Sequence, residues 1–294
     1  MLGISVAPSR LGHAATAYLA RQSLSAFNRV VIRREWEPSM QRYLLALASL
    51  VLLLCASGGH AQPAQQAAPP TANAVDPASI QALKDMGAHL LSLKRFHVST
   101  ELTGERVLSD GQKLQHGARA SMDVDRPNRI RVRMQSPRAE RELFYDGKRV
   151  TLFTPAQKYY STVAFTGTLG ELVDKLEDGY GVELPLSDLF VWGSSAAPID
   201  KIDSAMNAGQ DFVDGDLCDH YAFRQGMLDW QIWISTGGKP LPRKLVITNR
   251  SDEARPQSVS IIDWNLKPSF NDASFTFKPP AGSKAIDIVT RKSK

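Results

Sequence analysis

The spacing of apolar residues predicts that the ordered part of the chain begins with a helix. Between residues 77 and 93 apolar side chains recur every three or four positions, which is the period of an amphipathic α-helix. Asp76 and Pro77 supply an N-cap and a proline at the first helical position. The positions predicted to face the interior are Ile80, Leu83, Met86, Leu90 and Leu93.

After residue 95 apolar and polar residues alternate, as expected for half-buried β-strands. In RIRVRM (129–134), three arginines alternate with Ile, Val and Met. The dipeptides Asp146-Gly147 and Asp214-Gly215 each separate two such runs, and Asp-Gly in this position is a strong β-hairpin signal. The predicted strand regions are 96–102, 129–134, 142–155, 158–165, 210–224, 228–235, 243–249, 258–266 and 274–277.

A helical pattern returns in the middle of the chain. Thr168 and Glu171 have the spacing of a capping box, and Gly179 and Gly181 mark the end of the helix. Its apolar stripe is Leu169, Leu172, Val173 and Leu176. A second, short helix is predicted over 184–192, with the apolar residues Leu189, Phe190 and Trp192.

The order of these elements predicts one mainly β domain over residues 77–290. Turn signals recur every 8–12 residues, and strands do not alternate with helices as in a parallel α/β protein. We therefore predict a mainly antiparallel meander of about ten to eleven strands, with one helix before it and a helical insertion within it.

Residues 40–62, MQRYLLALASLVLLLCASGGHAQ, resemble a secretory signal peptide. A basic residue precedes an apolar run, and small residues follow it up to Ala61. Cleavage after Ala61 gives a periplasmic protein that begins at Gln62. An uncleaved inner-membrane anchor over 43–59 is the alternative, although about 20 apolar residues are needed to span a bilayer. Lipid attachment at Cys55 is disfavoured, because Leu54 precedes it where lipoprotein signals carry a small residue.

The segments on either side of the signal show no domain pattern. Residues 1–39 lack apolar periodicity, which indicates either a start codon placed upstream of a true start at Met40 or a cytoplasmic extension before an anchor. Residues 62–76 are rich in Pro, Ala and Gln and are predicted to be a linker.

Without residues 1–61, the chain has 29 basic and 28 acidic residues, so its basic character belongs to the leader. A nearly neutral domain gives no support for nucleic-acid binding. One cysteine, Cys218, is left, and the exported domain must be stable without an internal disulfide.

The domain contains no nucleophile elbow, P-loop, HExxH or paired CxxC motif, and we predict a protein without catalytic residues, metal or cofactor. The densest polar cluster, around the second Asp-Gly turn, has carboxylate, thiol and imidazole groups that zinc or calcium can use. A solvated hairpin turn explains the same residues. They are Asp214, Asp216, Cys218, Asp219 and His220.

Three arginines on one face of a strand, Arg129, Arg131 and Arg133, are candidates for contact with lipid phosphates or an acidic partner. A solvated convex face of the sheet is the alternative explanation.

Four stretches resemble a family of predicted periplasmic proteins of unknown function with a LolA/LolB-like lipoprotein-carrier fold. They are RVTLFTPAQKYYS, VDGDLCDHYAFR, DWQIWISTGGKPLPRKLVIT and FTFKPPAGSKAI. The resemblance implies a strongly curved, unclosed β-barrel with helices across its concave face. It also implies a hydrophobic cavity whose candidate lining or lid residues are Leu83, Met86, Leu90, Leu169, Leu172, Val173, Leu176, Leu189, Phe190 and Trp192.

Two main hypotheses for function follow. The first is a non-enzymatic periplasmic carrier or binding protein for a lipid, an acyl chain or a lipoprotein. The second is an envelope protein–protein interaction module whose core is filled by its own side chains; a hydrolase is a weaker third. We expect a monomer that contacts the membrane through its leader only.

Overall fold

The computed structural model describes residues 74–195 and 197–288. The signal peptide, the N-terminal extension and most of the linker lie outside these residues, and the expectations for them stay predictions. Within the described residues no helix is both long and apolar enough to cross a membrane.

Twelve strands of the described chain form one sheet, in the order β12-β6-β5-β4-β3-β2-β1-β11-β10-β9-β8-β7. All neighbours are antiparallel except β12, which runs parallel to β6. The strands are β1 Arg95–Val107, β2 Lys113–Asp125, β3 Arg129–Ser136, β4 Ala139–Tyr145, β5 Arg149–Thr154, β6 Tyr159–Ala164, β7 Ser204–Val213, β8 Asp216–Gln225, β9 Leu228–Ser235, β10 Pro242–Asn249, β11 Gln257–Asn265 and β12 Lys284–Ala285.

The sheet is curved and unclosed. A flat sheet of twelve strands would be about 50 Å wide at ~4.8 Å per strand. Yet Leu143 and Val150 from one half and Phe223 and Trp230 from the other belong to one core cluster. The sheet curls around this shared cluster. The predicted fold class is therefore confirmed, as a mainly β, unclosed antiparallel sheet with helices on its concave face.

Helix α1, Pro77–Ser92, forms where the sequence predicts it. The Asp76 carboxylate accepts hydrogen bonds from the backbone N–H groups of Ala78 and Ser79, at 3.2 and 3.0 Å. These bonds satisfy two of the N–H groups that have no partner within the helix. The buried face packs into the core through Leu83, Met86 and Leu90.

Helix α2, Leu169–Tyr180, has the predicted capping box between Thr168 and Glu171. It extends through Gly179 to Tyr180, and its C-cap Gly181 has a φ of 64° in the left-handed region. All four residues of its predicted stripe are buried in the core cluster, and the stripe is confirmed: Leu169, Leu172, Val173 and Leu176.

The predicted helix over 184–192 is wrong in type. Within this range the structure has one 3-10 helix, Ser187–Phe190, and a second 3-10 helix, Ile199–Lys201, follows it. Leu186, just before it, has φ 52° in the left-handed region, and Pro185 precedes that residue. A left-handed residue interrupts a right-handed helix, so only one short turn forms.

Three further differences from the sequence analysis concern the sheet and its C-terminal end. The predicted strand 274–277 is instead the 3-10 helix Asp272–Phe275. Strand β2 was missed because Gly117, Ala118 and Ala120 dilute the alternation of apolar residues. The two-residue strand β12 was missed because it depends on a parallel pairing with a distant strand.

The C-terminal segment covers part of the convex face. The Phe277 ring lies 5.1–5.3 Å from the rings of Phe144, Phe153 and Tyr160. Farther along the sheet, a second, small cluster contains Val213, Cys218, Trp233 and Val246. Trp233 and Trp230 thus lie on opposite faces, as the alternation of β9 predicts.

Candidate binding site on the concave face

Three elements cover the concave face: α1, α2 and residues 184–193, which we call the cover segment. The ten residues predicted as cavity or lid candidates are all buried there and belong to one cluster. Met86 is 0% exposed and Leu172 is 1% exposed. The structure therefore brings these residues together on one face, while their role in binding a ligand stays a prediction.

The cover segment is held by close packing at two points. The Trp192 ring lies 5.6 Å from the ring of Trp230 on β9, at an interplanar angle of 44°. The backbone of Gly193 lies against Gly87 of α1, so closely that a Cβ added to Gly87 would be 2.5 Å from the Gly193 nitrogen. Glycine is required at this contact because any side chain would push the two elements apart.

A cavity of about 20 Å³ lies between the cover segment, α1 and strands β9–β11. That volume accommodates about one water molecule. It is far below the 300–1,000 Å³ typical of small-molecule pockets. In this conformation the concave face is filled by the protein's own side chains. The residues that line the cavity are Met86, Leu186, Asp188, Leu189, Trp192, Trp230, Ile232, Pro242, Leu245 and Ile262.

Two polar groups of this apolar cavity lack partners in the described part of the chain. Asp188 is part-exposed, but its Oδ2 atom is buried and accepts no hydrogen bond. The indole Nε1 of Trp230 is likewise buried and donates none. Burial raises the pKa of the Asp188 carboxyl to about 7, and the negative charge of Glu177 adds to the shift. Near neutral pH this carboxyl is thus divided between its neutral and ionised forms.

Arg126, the residue that follows β2, contacts the cover segment at Phe190. Its guanidinium lies 5.5 Å from the centre of the Phe190 ring. Burial lowers the pKa of Arg126, and its Nε and Nη2 atoms have no hydrogen-bond partner within residues 74–195 and 197–288. A cation over an aromatic ring is a stabilising contact, so Arg126 helps to hold Phe190 in place.

The three arginines of β3 do not reach the cavity. Ile130 and Val132, which alternate with them, face the core, so the arginines lie on the convex face. Each makes an ion pair with a carboxylate of the protein: Arg129 with Asp125 at 2.6 Å, and both Arg131 and Arg133 with Glu142 at 3.0 and 3.2 Å. Contact with a phosphate or an acidic partner stays a prediction, and it would concern the convex face.

The polar cluster at the β7–β8 hairpin forms separate pairs. Asp216 lies 3.0 Å from Arg243, the Asp219 side chain accepts from Gln210, and His220 contacts Gln231 at 3.0 Å. Cys218 is buried, which raises the pKa of its thiol. In the described parts of the chain no three His, Cys, Asp or Glu side chains lie together so as to hold a metal ion.

The sequence analysis missed the polar corner of the cavity. Ser187-Asp188 falls within the run predicted as a short helix over 184–192, and the alternation of β9 indicates only a core position for Trp230. A lone charge between Leu186 and Leu189 was the available signal, but only the folded sheet shows that both polar residues line one cavity.

A family model described as "Predicted periplasmic protein (DUF2092)" matches residues 79–289. The chain belongs to this family. The match confirms the family resemblance found in the hairpin and turn sequences. It also agrees with the periplasmic localisation that the leader predicts. No curated protein matches the chain.

Several solved structures are similar to the chain. LprF from Mycobacterium bovis is 12% identical, with a TM-score of 0.40 over 71% of this chain and 99% of its own. The lipoprotein LppX from Mycobacterium tuberculosis is 11% identical, with a TM-score of 0.35 over 66% and 98%. A LolA superfamily protein from Nitrosomonas europaea is 10% identical, with a TM-score of 0.31 over 68% and 97%. At these values the likeness assigns neither a function nor a ligand to this chain.

Proposed function

We propose that the protein is a non-enzymatic periplasmic carrier or binding protein for an acyl chain, a lipid or a lipoprotein. The observation that carries the proposal is the construction of the concave face. Its apolar strands are covered by two helices and a cover segment that has only four residues of helical structure, instead of by a second sheet. A short segment of this kind is easier to displace than a strand held in a hydrogen-bonded ladder.

The concave face can be covered by the cover segment or by a bound acyl chain, and the two burial free energies are of similar size. Burying a twelve-carbon chain stabilises the complex by about 10 kcal/mol, at ~0.8 kcal/mol per methylene. The buried side chains of the cover segment contribute about 7–15 kcal/mol together, at ~1.5–3 kcal/mol each. An acyl chain can therefore replace the cover segment in a near-balanced, reversible exchange. Those side chains are Leu184, Leu186, Leu189, Phe190 and Trp192.

The alternative function, an interaction module with a self-filled core, has one observation in its favour. The cavity of about 20 Å³ admits no acyl chain as it stands. The carrier function requires the cover segment to open, whereas the interaction module requires that it never does.

Binding of the neutral dye N-phenyl-1-naphthylamine distinguishes the two functions. For a carrier we expect saturable fluorescence enhancement in the wild type and tighter binding in Trp192→Ala, which enlarges the cavity. Phe212→Ser is the matched control, because Phe212 is 70% exposed and lies outside the core, and it should bind as the wild type does.

The carrier function would be excluded if the wild type gave no fluorescence enhancement at saturating dye and carried no lipid in native mass spectrometry. In that case Leu172→Ala should still lower the free energy of unfolding by about 2–5 kcal/mol, since its side chain is fully packed.

A further inference from the structure

The charged groups of the cavity determine which charge the polar end of a ligand can carry. Among its ten lining residues Asp188 is the one that ionises, and none carries a positive charge. Glu177 of α2 adds negative potential at Asp188. α1 reaches the cover segment through the uncharged residues Met86 and Gly87, while Arg126 lies over Phe190. An anionic head placed in the cavity would meet a carboxylate and no lining cation.

Two unsatisfied groups of opposite character define the polar corner. The Asp188 Oδ2 atom accepts hydrogen bonds, and the Trp230 indole N–H donates one; neither has a partner in residues 74–195 and 197–288. Trp230 is 2% exposed, so water does not compensate its N–H from the surface. A buried polar group without a hydrogen-bond partner destabilises the folded protein. A ligand that supplies both missing partners removes this penalty, and the free energy regained strengthens binding.

The aromatic walls add a preference for positive charge. The Trp192 and Trp230 rings are 5.6 Å apart and both line the cavity. The face of an indole attracts ammonium groups, and the attraction grows when the site excludes water. A carboxylate beside two indole rings has the chemistry of a site for an amine.

We propose that the concave site takes amphiphiles that end in a protonated amine with an oxygen acceptor on the neighbouring carbon. The ammonium donates to the Asp188 carboxylate, and the oxygen accepts from the Trp230 N–H. This inference rests on the proposed carrier function, because the cover segment must first admit the chain. Two sources present this chemistry: a long-chain amino alcohol and the free α-amino end of a lipid-modified peptide.

Binding of such an amine depends on pH in a defined direction. With a carboxyl pKa of about 7, roughly a tenth of the free protein has Asp188 ionised at pH 6 and roughly nine-tenths at pH 8. A long-chain amino alcohol stays protonated over this range and binds the ionised form of Asp188, so its affinity should rise about tenfold between these pH values.

Competition against the neutral dye at pH 8 tests the inference, with three ligands that share a twelve-carbon chain: 2-aminododecan-1-ol, dodecan-1-ol and dodecanoate. We expect the amino alcohol to compete at least tenfold better than dodecanoate. Asp188→Asn, which keeps the shape and removes the charge, should abolish that preference. Asp200→Asn is the matched control, because Asp200 is exposed and does not line the cavity, and the preference should persist.

The outcomes separate this inference from the proposed function. Equal competition by all three ligands would overturn the amine preference and leave the carrier function standing. A protein that binds neither dye nor any ligand would remove both. A diacylated peptide tested with its α-amine free and acetylated identifies the source. Loss of binding on acetylation points to the peptide, and competition by the amino alcohol alone points to the free lipid.

Discussion

At the scale of one residue, Asp188 couples stability to pH. Its carboxyl pKa is raised from 3.8 to about 7 in the folded protein. Between pH 4 and pH 7 the folded state therefore holds a proton that the unfolded state has released, and stability falls as pH rises through this window. The loss has an upper limit of about 4 kcal/mol, since the residue is part-exposed.

Urea unfolding at pH 5 and pH 8 measures this effect. From pH 5 to pH 8 the free energy of unfolding should fall further, or rise less, in the wild type than in Asp188→Asn. The variant has no carboxyl at this position to lose a proton. Asp200→Asn, which removes an exposed carboxylate, should behave as the wild type does. The same pH difference in all three proteins would contradict the burial of the Asp188 carboxyl.

At the scale of elements, the contact between Gly87 and Gly193 sets how tightly the cover segment closes. The Cβ of Gly87→Ala would lie 2.5 Å from a backbone nitrogen, so the cover segment must move away from α1. We expect a loss of stability of about 1–3 kcal/mol from overpacking. We also expect faster hydrogen exchange across 184–193 and greater dye uptake.

Gly170→Ala is the matched control for that prediction. Gly170 lies in α2, and an added Cβ there would have no atom within 4 Å. It should stabilise the helix by about 0.5–1 kcal/mol and leave dye uptake unchanged. Equal dye uptake by Gly87→Ala and Gly170→Ala would show that the contact between Gly87 and Gly193 does not control how tightly the cover segment closes.

At the scale of the whole molecule, we expect the convex face of the sheet to contribute to stability without affecting binding at the concave face. Phe275, in the C-terminal segment, is buried against Phe270 at 5.3 Å and lies 5.4 Å from the Arg129 guanidinium. Phe275→Ala should lower the free energy of unfolding by about 3–5 kcal/mol, as expected for a buried aromatic ring. Dye affinity of the folded fraction should not change, because the convex face does not line the cavity. A large change in affinity would show that the two faces are coupled.

The sequence by itself determined the features that depend on neighbouring residues. Asp76 and Pro77 begin α1, Thr168 and Glu171 cap α2, and Asp146-Gly147 turns a hairpin. Each of these signals acts within four residues, through a hydrogen bond or a backbone angle that the residue type permits. Strand alternation likewise assigns Arg131 to one face and its neighbours to the other, because side chains on a strand point in alternate directions.

Only the tertiary structure decided the cavity and its chemistry. Asp188 and Trp230 are 42 positions apart in the sequence, and the packing of the cover segment against β9 is what places both in the lining of one cavity. The same packing buries a carboxyl oxygen of Asp188, a residue that the sequence pattern places only within a short predicted helix over 184–192. Burial depends on which distant elements pack together, and a local sequence pattern contains no information on that packing.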